Sequence, residues 1–181
     1  QETREIRAVR NADPVETQEE QQLLIIDGYN VIFAWENLRA LAREDIHAAR
    51  EELLQTVANY AAFRRVETVL VFDGYRVPGN KGEQYDYHKV RVVFTRERET
   101  GDLYIERLIY KLGKKNRVFV VTSDNMIQIS ALRTGAVRIS SSEFSEMVDE
   151  ANVRIEEILE RERSRFPGRL GDDRGLGGLI S

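Results

Sequence analysis

The chain has 181 residues, of which 41% are hydrophobic and 32% charged, and its formal net charge is −4. This profile is typical of one globular domain with additional polar segments, and a net acidic chain is not a generic binder of polyanions. The absence of cysteine excludes disulfides, thiolate metal sites and cysteine nucleophiles. No stretch approaches the roughly 20 apolar residues of a membrane span, and no signal peptide opens the chain, so we expect a cytoplasmic protein without a membrane partner.

Composition divides the chain into three parts. Residues 1–22 are polar and lack an apolar period, which predicts a flexible lead-in or interdomain linker. Residues 23–165 form the predicted domain, and residues 166–181 form a Gly-rich tail that we expect to be disordered. The first residue is Gln rather than Met, which suggests a fragment of a longer protein.

Short apolar runs alternate with helical patterns through the middle of the chain. Five runs are apolar on both faces, as in the interior of a parallel sheet: Leu23–Ile26, Thr68–Phe72, Val90–Phe94, Val118–Val121 and Val137–Ile139. Apolar residues at helical spacing predict four helices: Asp45–Arg64, Asp102–Leu112, Asn125–Arg133 and Glu143–Arg163. A further helix is expected after the first strand, with Phe33 and Trp35 packed on the sheet. The alternation predicts a three-layer α/β/α sandwich with a mainly parallel central sheet.

Aspartates follow several of these predicted strands. The runs "LLIID" and "VLVFD" end at Asp27 and Asp73, "VVTSD" ends at Asp124, and Asp102 opens the helix after the third strand. Ligands of open parallel sheets bind beyond the carboxyl ends of the strands, so all four side chains are expected to face one crevice. A single aspartate is more often a turn former or a helix cap, but four crowded carboxylates repel one another unless a cation neutralises them.

The predicted crevice has the chemistry of a divalent metal site. Oxygen ligands without thiolates favour Mg²⁺ or Mn²⁺ over zinc. Such an ion could activate water and clamp a phosphoryl oxygen, which makes the four aspartates candidate catalytic residues. Gly28 and Gly74 follow two of them and would let the backbone approach a ligand, or would simply form turns.

The segment from Gly74 to His88 interleaves cations with tyrosines. This composition suits a single-stranded RNA whose bases stack and whose phosphates are neutralised, although a solvated loop is an equal alternative. The candidate RNA contacts within it are Arg76, Lys81, Tyr85 and His88. Its length and Pro-Gly content also suit a mobile flap. Between Lys81 and Arg117 the chain has ten Lys or Arg and six Asp or Glu, a local excess that is compatible with a nucleic-acid partner.

Further substrate contacts are expected beside the acidic crevice: Arg96, Arg98, Thr122, Ser123 and Asn125. The two arginines could hold phosphates further along the strand, or could pair with the neighbouring glutamates. The two hydroxyls could orient Asp124 or a bound water.

Four motifs, in order, resemble the YacP-like branch of the NYN domain, a PIN-like nuclease fold: "IIDGYNVI", "LVFDGY", "ETGDLYIE" and "VVTSDN". The resemblance covers about residues 23 to 160. It implies a metal-dependent endoribonuclease whose acidic pocket holds one or two Mg²⁺ or Mn²⁺ ions. By motif, Asp27, Asp102 and Asp124 would be metal ligands, Asp73 would contribute, and Asn30 would contact phosphate or a metal-bound water.

The same resemblance implies partners. YacP-like domains are tied to ribosome-associated mRNA decay, and they also occur fused behind translational GTPases that resemble ribosomal-protection tetracycline-resistance proteins. The lead-in "QETREIRAVRNADPVETQ" resembles such a junction, so an upstream GTPase domain is an expectation. Gly101 stands where this branch usually has Ala, which predicts a helix start that is less stable by about 1 kcal/mol.

Three classes of function can be weighed on these residues. The leading hypothesis is metal-dependent hydrolysis of RNA, acting on mRNA in association with the ribosome. A catalytically inactive RNA- or ribosome-binding module of a translation factor is the alternative, but an inert domain need not retain mutually repelling acids. An aspartyl-phosphate enzyme is disfavoured, because the second acid that its phosphatase form needs is replaced by Tyr29, and because no lysine follows a late strand near the pocket.

Overall fold

The computed structural model describes residues 20–74 and 79–167. Most of the predicted lead-in and tail, and Arg76, lie outside these residues. The elements are β1 Gln21–Asp27, α1 Gly28–Ala34, α2 Glu36–Glu44, α3 Ile46–Arg64, β2 Glu67–Phe72, β3 Glu83–Tyr87, β4 Val90–Phe94, α4 Gly101–Leu112, β5 Asn116–Val121, α5 Asn125–Thr134, β6 Val137–Ile139 and α6 Ser141–Arg165. Across the described ranges, no helix is long and apolar enough to cross a membrane.

One six-stranded sheet organises the fold, with the strand order β3-β4-β2-β1-β5-β6. All neighbouring strands are parallel except β3, which pairs antiparallel with β4 at the edge of the sheet. β1 lies in the middle, and its Ile26 pairs with Leu70 of β2 on one side and Val121 of β5 on the other. The predicted mainly parallel α/β sheet is confirmed.

Helices cover both faces of the sheet, which explains why the central strands are apolar on both sides. Leu24 and Ile26 face the core formed with α1, α2, α3 and α6. Leu23 and Ile25 face the smaller core formed with α4 and α5. Burial on both faces is the pattern expected of a parallel sheet, and it leaves the carboxyl edge as the open side of the central strands.

Three local features differ from the sequence-based predictions. The segment predicted to be a mobile flap contains β3, a strand whose residues are mostly exposed. The helix after β1 is broken at Trp35, which adopts an extended backbone and donates a hydrogen bond from Nε1 to the Ser141 carbonyl at 2.8 Å. Trp35 also stacks on Phe144 with a centroid distance of 5.7 Å. Phe33 does not pack on the sheet, since its side chain is 54% exposed.

Candidate active site

The parallel register brings the predicted aspartates to one edge of the sheet. Asp27 is the last residue of β1 and pairs with Val71, two residues before Asp73. Asp124 follows β5, the neighbour of β1 on its other side, and Asp102 lies in the first turn of α4. Because β1 is central, its carboxyl end lies between the ends of β2 and β5, which is where open α/β sheets bind ligands.

Asp27 is the most buried of these carboxylates. Burial raises its pKa to about 6, the nearby charges of Asp102 and Asp124 raise it as well, and the Thr122 hydroxyl and the Asn30 backbone N–H partly offset the rise. The side chain forms no capping hydrogen bond of ordinary geometry to α1. Capping α1, the common structural role of an aspartate at this position, is therefore not the main role of Asp27. Burial of the ionised carboxylate is unfavourable, and no cation among the described residues offsets this cost.

Thr122 links the ends of β1 and β5. Its Oγ1 donates to Asp27 Oδ2 at 3.0 Å and accepts a hydrogen bond from the Asp124 backbone N–H at 3.1 Å. Thr122 itself is fully buried, and both hydrogen bonds are partly buried. The threonine thus contacts both aspartates, the side chain of Asp27 and the backbone of Asp124, whereas the sequence predicted that it orients Asp124 or a bound water.

The two carboxylate oxygens of Asp124 have different roles. Its Oδ1 accepts hydrogen bonds from Met126 N at 2.8 Å and Ile127 N at 3.3 Å, which caps α5. The second oxygen accepts no hydrogen bond from the described residues. Asn125 is exposed as the first residue of the same helix.

Asn30 ties α1 to the opposite wall of the site. Its Oδ1 accepts hydrogen bonds from the Ser123 backbone N–H at 2.8 Å and from Ser141 Oγ at 2.7 Å. The Ser123 hydroxyl in turn accepts from the Ser141 backbone N–H at 3.3 Å. Ser141 was missed from the sequence because "SSSEF" signals only a helix start. The amide NH₂ of Asn30 forms no hydrogen bond with the described residues, so it remains a donor at the edge of the site.

Asp73 and Asp102 are joined through the start of α4. The Gly101 backbone N–H donates to Asp73 Oδ2 at 3.1 Å. Thr100 caps this helix by accepting from the Leu103 backbone N–H at 3.2 Å, so Asp102 does not serve as the cap. The Asp102 side chain is exposed and accepts no hydrogen bond from the described residues.

The charges of these carboxylates act on one another. Burial raises the pKa of Asp102, and the charges of Asp124, Asp73 and Glu106 raise it further. The charge of Asp102 also raises the pKa of Asp27. Nearby carboxylates raise each other's pKa, so these shifts agree with the register, which brings the four aspartates to the same edge of the sheet.

The donor set suits a hard divalent cation in kind, since it consists of carboxylate and amide oxygens without thiolates. Over residues 20–74 and 79–167, however, no group of three or more His, Cys, Asp or Glu side chains is arranged so that it could hold a metal ion. A complete three-carboxylate cage is therefore not preassembled. A cation held here would need the carboxylates to move closer together, or water and substrate oxygens to complete its coordination.

The space beside the glycines of the two "DG" motifs is filled by other residues of the protein and not left open to a ligand. A Cβ on Gly28 would lie 2.4 Å from Phe72 Cε1, and a Cβ on Gly74 would lie 2.1 Å from the Thr95 carbonyl oxygen. Both glycines thus permit close packing directly beside Asp27 and Asp73.

The predicted RNA contacts of the β3 region are spread along β4. Lys81 and Arg96 are exposed at its carboxyl end, on the side of the acidic site. Tyr85 pairs with Val92, a residue of the α3-side core, and its pKa is raised by burial and by Glu51 of α3. Tyr85 is therefore on the α3 side of the sheet.

His88 lies away from the acidic site. It follows Tyr87, which pairs with Val90 at the amino end of β4, roughly 13 Å along the strand from Phe94 at its carboxyl end. The structure therefore does not bring His88 to the carboxylates. Its ring instead meets the Tyr87 ring edge-on at 4.6 Å.

The arginines at the carboxyl end of β4 do not pair with the adjacent glutamates. Glu99 forms an ion pair with Arg107 of α4, and Glu97 accepts a hydrogen bond from the Gly79 backbone N–H at 2.9 Å. Within the described part of the chain, Arg96 and Arg98 form no ion pair. Both guanidinium groups remain available to an anionic ligand.

Comparison with known proteins agrees with this architecture. The family model of the YacP-like NYN domain matches residues 24–173. The chain is 35% identical over 146 residues to YacP of Bacillus subtilis (strain 168), covering 80% of this chain and 85% of that protein. The fold is similar to the crystal structure of Rae1 (YacP) from Bacillus subtilis, with a TM-score of 0.69, 34% identity and coverage of 80% and 83% of the two chains. A single-residue variant of that protein gives a TM-score of 0.68 at 33% identity, over 78% and 83% of the chains. The chain therefore belongs to the YacP-like NYN family, a branch of the PIN-like nucleases.

Proposed function

We propose that the protein is a metal-dependent endoribonuclease that hydrolyses phosphodiester bonds in RNA. The observation that carries this proposal is the placement of Asp27, Asp102 and Asp124 at the carboxyl edge of the sheet, where burial and neighbouring carboxylates raise the pKa of Asp27 and Asp102. Carboxylates placed close together lower the stability of a fold unless a cation neutralises them, so their presence at this edge favours a bound cation and the reaction it supports.

Asp27, Asp102 and Asp124 are the proposed ligands, with Asp73 as a contributor. Mg²⁺ is commonly held by one or two carboxylates together with waters and substrate phosphates, and this mode does not require a preassembled three-carboxylate cage. Asp102 and the second oxygen of Asp124 are the best placed, because neither accepts a hydrogen bond from the described residues. When bound, Mg²⁺ or Mn²⁺ supplies positive charge at the scissile phosphate and acidifies water.

The protein side chains orient this centre and bind the strand. Thr122 holds Asp27, and Asn30 directs its free NH₂ donors toward a phosphate oxygen. Lys81, Arg96 and Arg98, which form no ion pair within residues 20–74 and 79–167, provide cations for phosphates beyond the cleaved bond. Action on mRNA, association with the ribosome, a cytoplasmic location and a fused GTPase domain are proposed from the family resemblance.

A catalytically inactive RNA- or ribosome-binding module is the second candidate. The observation in its favour is that no three-ligand group is preassembled among the described residues. This candidate predicts that the protein binds RNA but does not cleave it, either with Mg²⁺ or with EDTA.

The decisive experiment follows cleavage of a labelled single-stranded RNA with Mg²⁺, with Mn²⁺ and with EDTA. We expect cleavage that requires the metal and disappears in Asp27→Asn. Asp149→Asn is the matched control, because Asp149 is exposed on α6, and it should cleave normally. Cleavage that persists in EDTA, or normal activity of Asp27→Asn, would refute the assignment.

A further inference from the structure

A row of aromatic rings borders the acidic site on the α3 side of the sheet. Phe33 stacks on Tyr29 within α1, with a centroid distance of 6.2 Å and an interplanar angle of 26°. Tyr29 contacts Phe72 at 5.1 Å, and Phe72 stacks on Phe94 at 5.2 Å. Phe72 directly precedes Asp73, and Gly28, the residue after Asp27, packs against its ring. The row therefore begins next to the carboxylates and ends at Phe33.

Phe33 is the exposed end of this row. Its neighbours are buried or half-buried, whereas its own side chain is 54% exposed. One face of the ring stacks on Tyr29, and the outer face is an apolar surface in contact with solvent. An ordered aromatic face of this kind binds nucleobases of any sequence by stacking.

Arg50 of α3 lies beside the same tyrosine. Its Nη1 donates to Tyr29 Oη at 3.1 Å, its Nη2 donates to His47 Nδ1, and its guanidinium lies over the Phe94 ring at 5.5 Å. The side chain is half-buried, and in the described part of the chain it forms no ion pair with a carboxylate. A partly desolvated guanidinium held only by neutral groups lacks an anion.

The remaining N–H donors of Arg50 are available, among the described residues, to bind an anion. A guanidinium has five N–H groups in a planar fork, and two of them are used here. The other three have no acceptor among the described residues. Their planar geometry matches two oxygens of a phosphate, and the stacking on Phe94 and the two hydrogen bonds fix its orientation beforehand.

We propose that Arg50 and Phe33 bind one nucleotide of a single-stranded RNA beside the acidic site, Arg50 through the phosphate and Phe33 by stacking on the base. Both residues contact the same side chain, since Arg50 donates to the Tyr29 hydroxyl and Phe33 stacks on the Tyr29 ring. The inference rests on the proposed function, and it specifies that the substrate is single-stranded on this side of the site. His47 and Tyr29 are positioning residues that hold the guanidinium.

Binding can be measured without cleavage. The affinity of a short fluorescein-labelled oligouridylate is followed by anisotropy in EDTA at several salt concentrations, with a duplex of equal length for comparison. Phe33→Ala should weaken binding of the single strand by about tenfold and leave duplex binding unchanged, because paired bases cannot stack on the ring. Phe33→Trp should retain wild-type affinity.

Two substitutions of Arg50 test its proposed phosphate contact: Arg50→Gln removes the charge, and Arg50→Lys keeps the charge but not the planar fork. Arg50→Gln should weaken binding by roughly fivefold to tenfold and reduce the slope of log affinity against log salt by about 0.7, the value for one lost phosphate contact on a single strand. Arg50→Lys should restore the slope but only part of the affinity. Arg64→Gln on the same helix and Tyr110→Ala on α4 are matched controls, since Arg64 also lies over aromatic rings and Tyr110 is 68% exposed.

The outcomes separate this inference from the proposed function. Wild-type affinity in both Phe33→Ala and Arg50→Gln, or equal losses in the controls, overturns the nucleotide site even if metal-dependent cleavage is observed. A loss of single-strand affinity confined to Phe33 and Arg50 variants, with unchanged thermal unfolding of Phe33→Ala, supports it even if no cleavage is found. Equal losses for duplex and single strand in Phe33→Ala overturn the stacking role.

Discussion

Replacing Asp27 with Asn is expected to stabilise the free protein at neutral pH while removing its activity. Burial and neighbouring carboxylates raise the pKa of Asp27 from 3.8 to about 6. The folded protein therefore holds this proton more tightly than the unfolded chain, and stability falls as the pH rises through the folded pKa. At 1.36 kcal/mol per pKa unit, the ionised carboxylate destabilises the fold by about 3 kcal/mol at pH 7.

Asparagine has nearly the same shape as aspartate but no charge. Its amide oxygen can still accept the hydrogen bond from Thr122 Oγ1 that Asp27 Oδ2 accepts in the native protein. The gain in free energy of unfolding should therefore be about 3 kcal/mol at pH 7 and should shrink to about 0.5 kcal/mol at pH 4, where the aspartate is already protonated in the folded state.

Urea unfolding of the wild type and of Asp27→Asn in EDTA at pH 4, 5.5 and 7 measures this difference. Asp149→Asn, an exposed aspartate on α6, is the control and should change stability little at any pH. Equal or lower stability of Asp27→Asn at pH 7, or a gain that does not depend on pH, would show that the carboxylate is not under the electrostatic strain described.

Three further substitutions test the packing around the site. Gly101→Ala should raise the melting temperature by about 2–4 °C in a thermal scan and leave cleavage intact. The added Cβ would lie 3.4 Å from Asp73 Cβ, an ordinary van der Waals contact, and Ala favours helix over Gly. A lower melting temperature would contradict this prediction. Gly28→Ala should destabilise the protein by about 1–3 kcal/mol in urea, because its Cβ would lie 2.4 Å from the buried Phe72 ring; wild-type stability would show that the ring can move. Thr122→Val removes a hydrogen bond that lowers the pKa of Asp27, so the acid limb of the cleavage pH profile should move to higher pH, whereas Thr122→Ser should leave the profile in place.

The sequence was sufficient to predict the five parallel strands and the aspartates that follow three of them. Strands buried on both faces must be apolar throughout, so runs such as Leu23–Ile26 are visible without any structure. Their order then determines that Asp27, Asp73 and Asp124 follow strands whose carboxyl ends meet. The finer arrangement of hydrogen bonds was not accessible in this way, because Thr122 and Ser141 are polar residues without a periodic pattern.

The region around β3 shows why other predictions were wrong. The strand "EQYDY" is mostly exposed, so it lacks the apolar pattern that identifies a buried strand. The sequence therefore predicted a single loop that carries Lys81, Tyr85 and His88 as RNA contacts. The antiparallel pairing with β4 instead separates them along the strand and between the two faces of the sheet.

Phe33 was misassigned for a related reason. A large apolar residue is more often buried than exposed, and α1 is too short for its seven residues to show a clear helical period. The sequence also could not show that Arg50 has no carboxylate partner among the described residues, because this depends on which side chains lie near the guanidinium in space.

Calorimetric titration of Mn²⁺ into the protein tests the central claim most directly, which is that distant carboxylates converge to bind a divalent cation. We predict saturable binding that is lost in Asp102→Ala, is retained in Asp149→Asn, and weakens as the pH falls below about 6, because protonation of Asp27 competes with the metal. Absence of binding in the wild type, or equal binding in Asp102→Ala, would contradict the account.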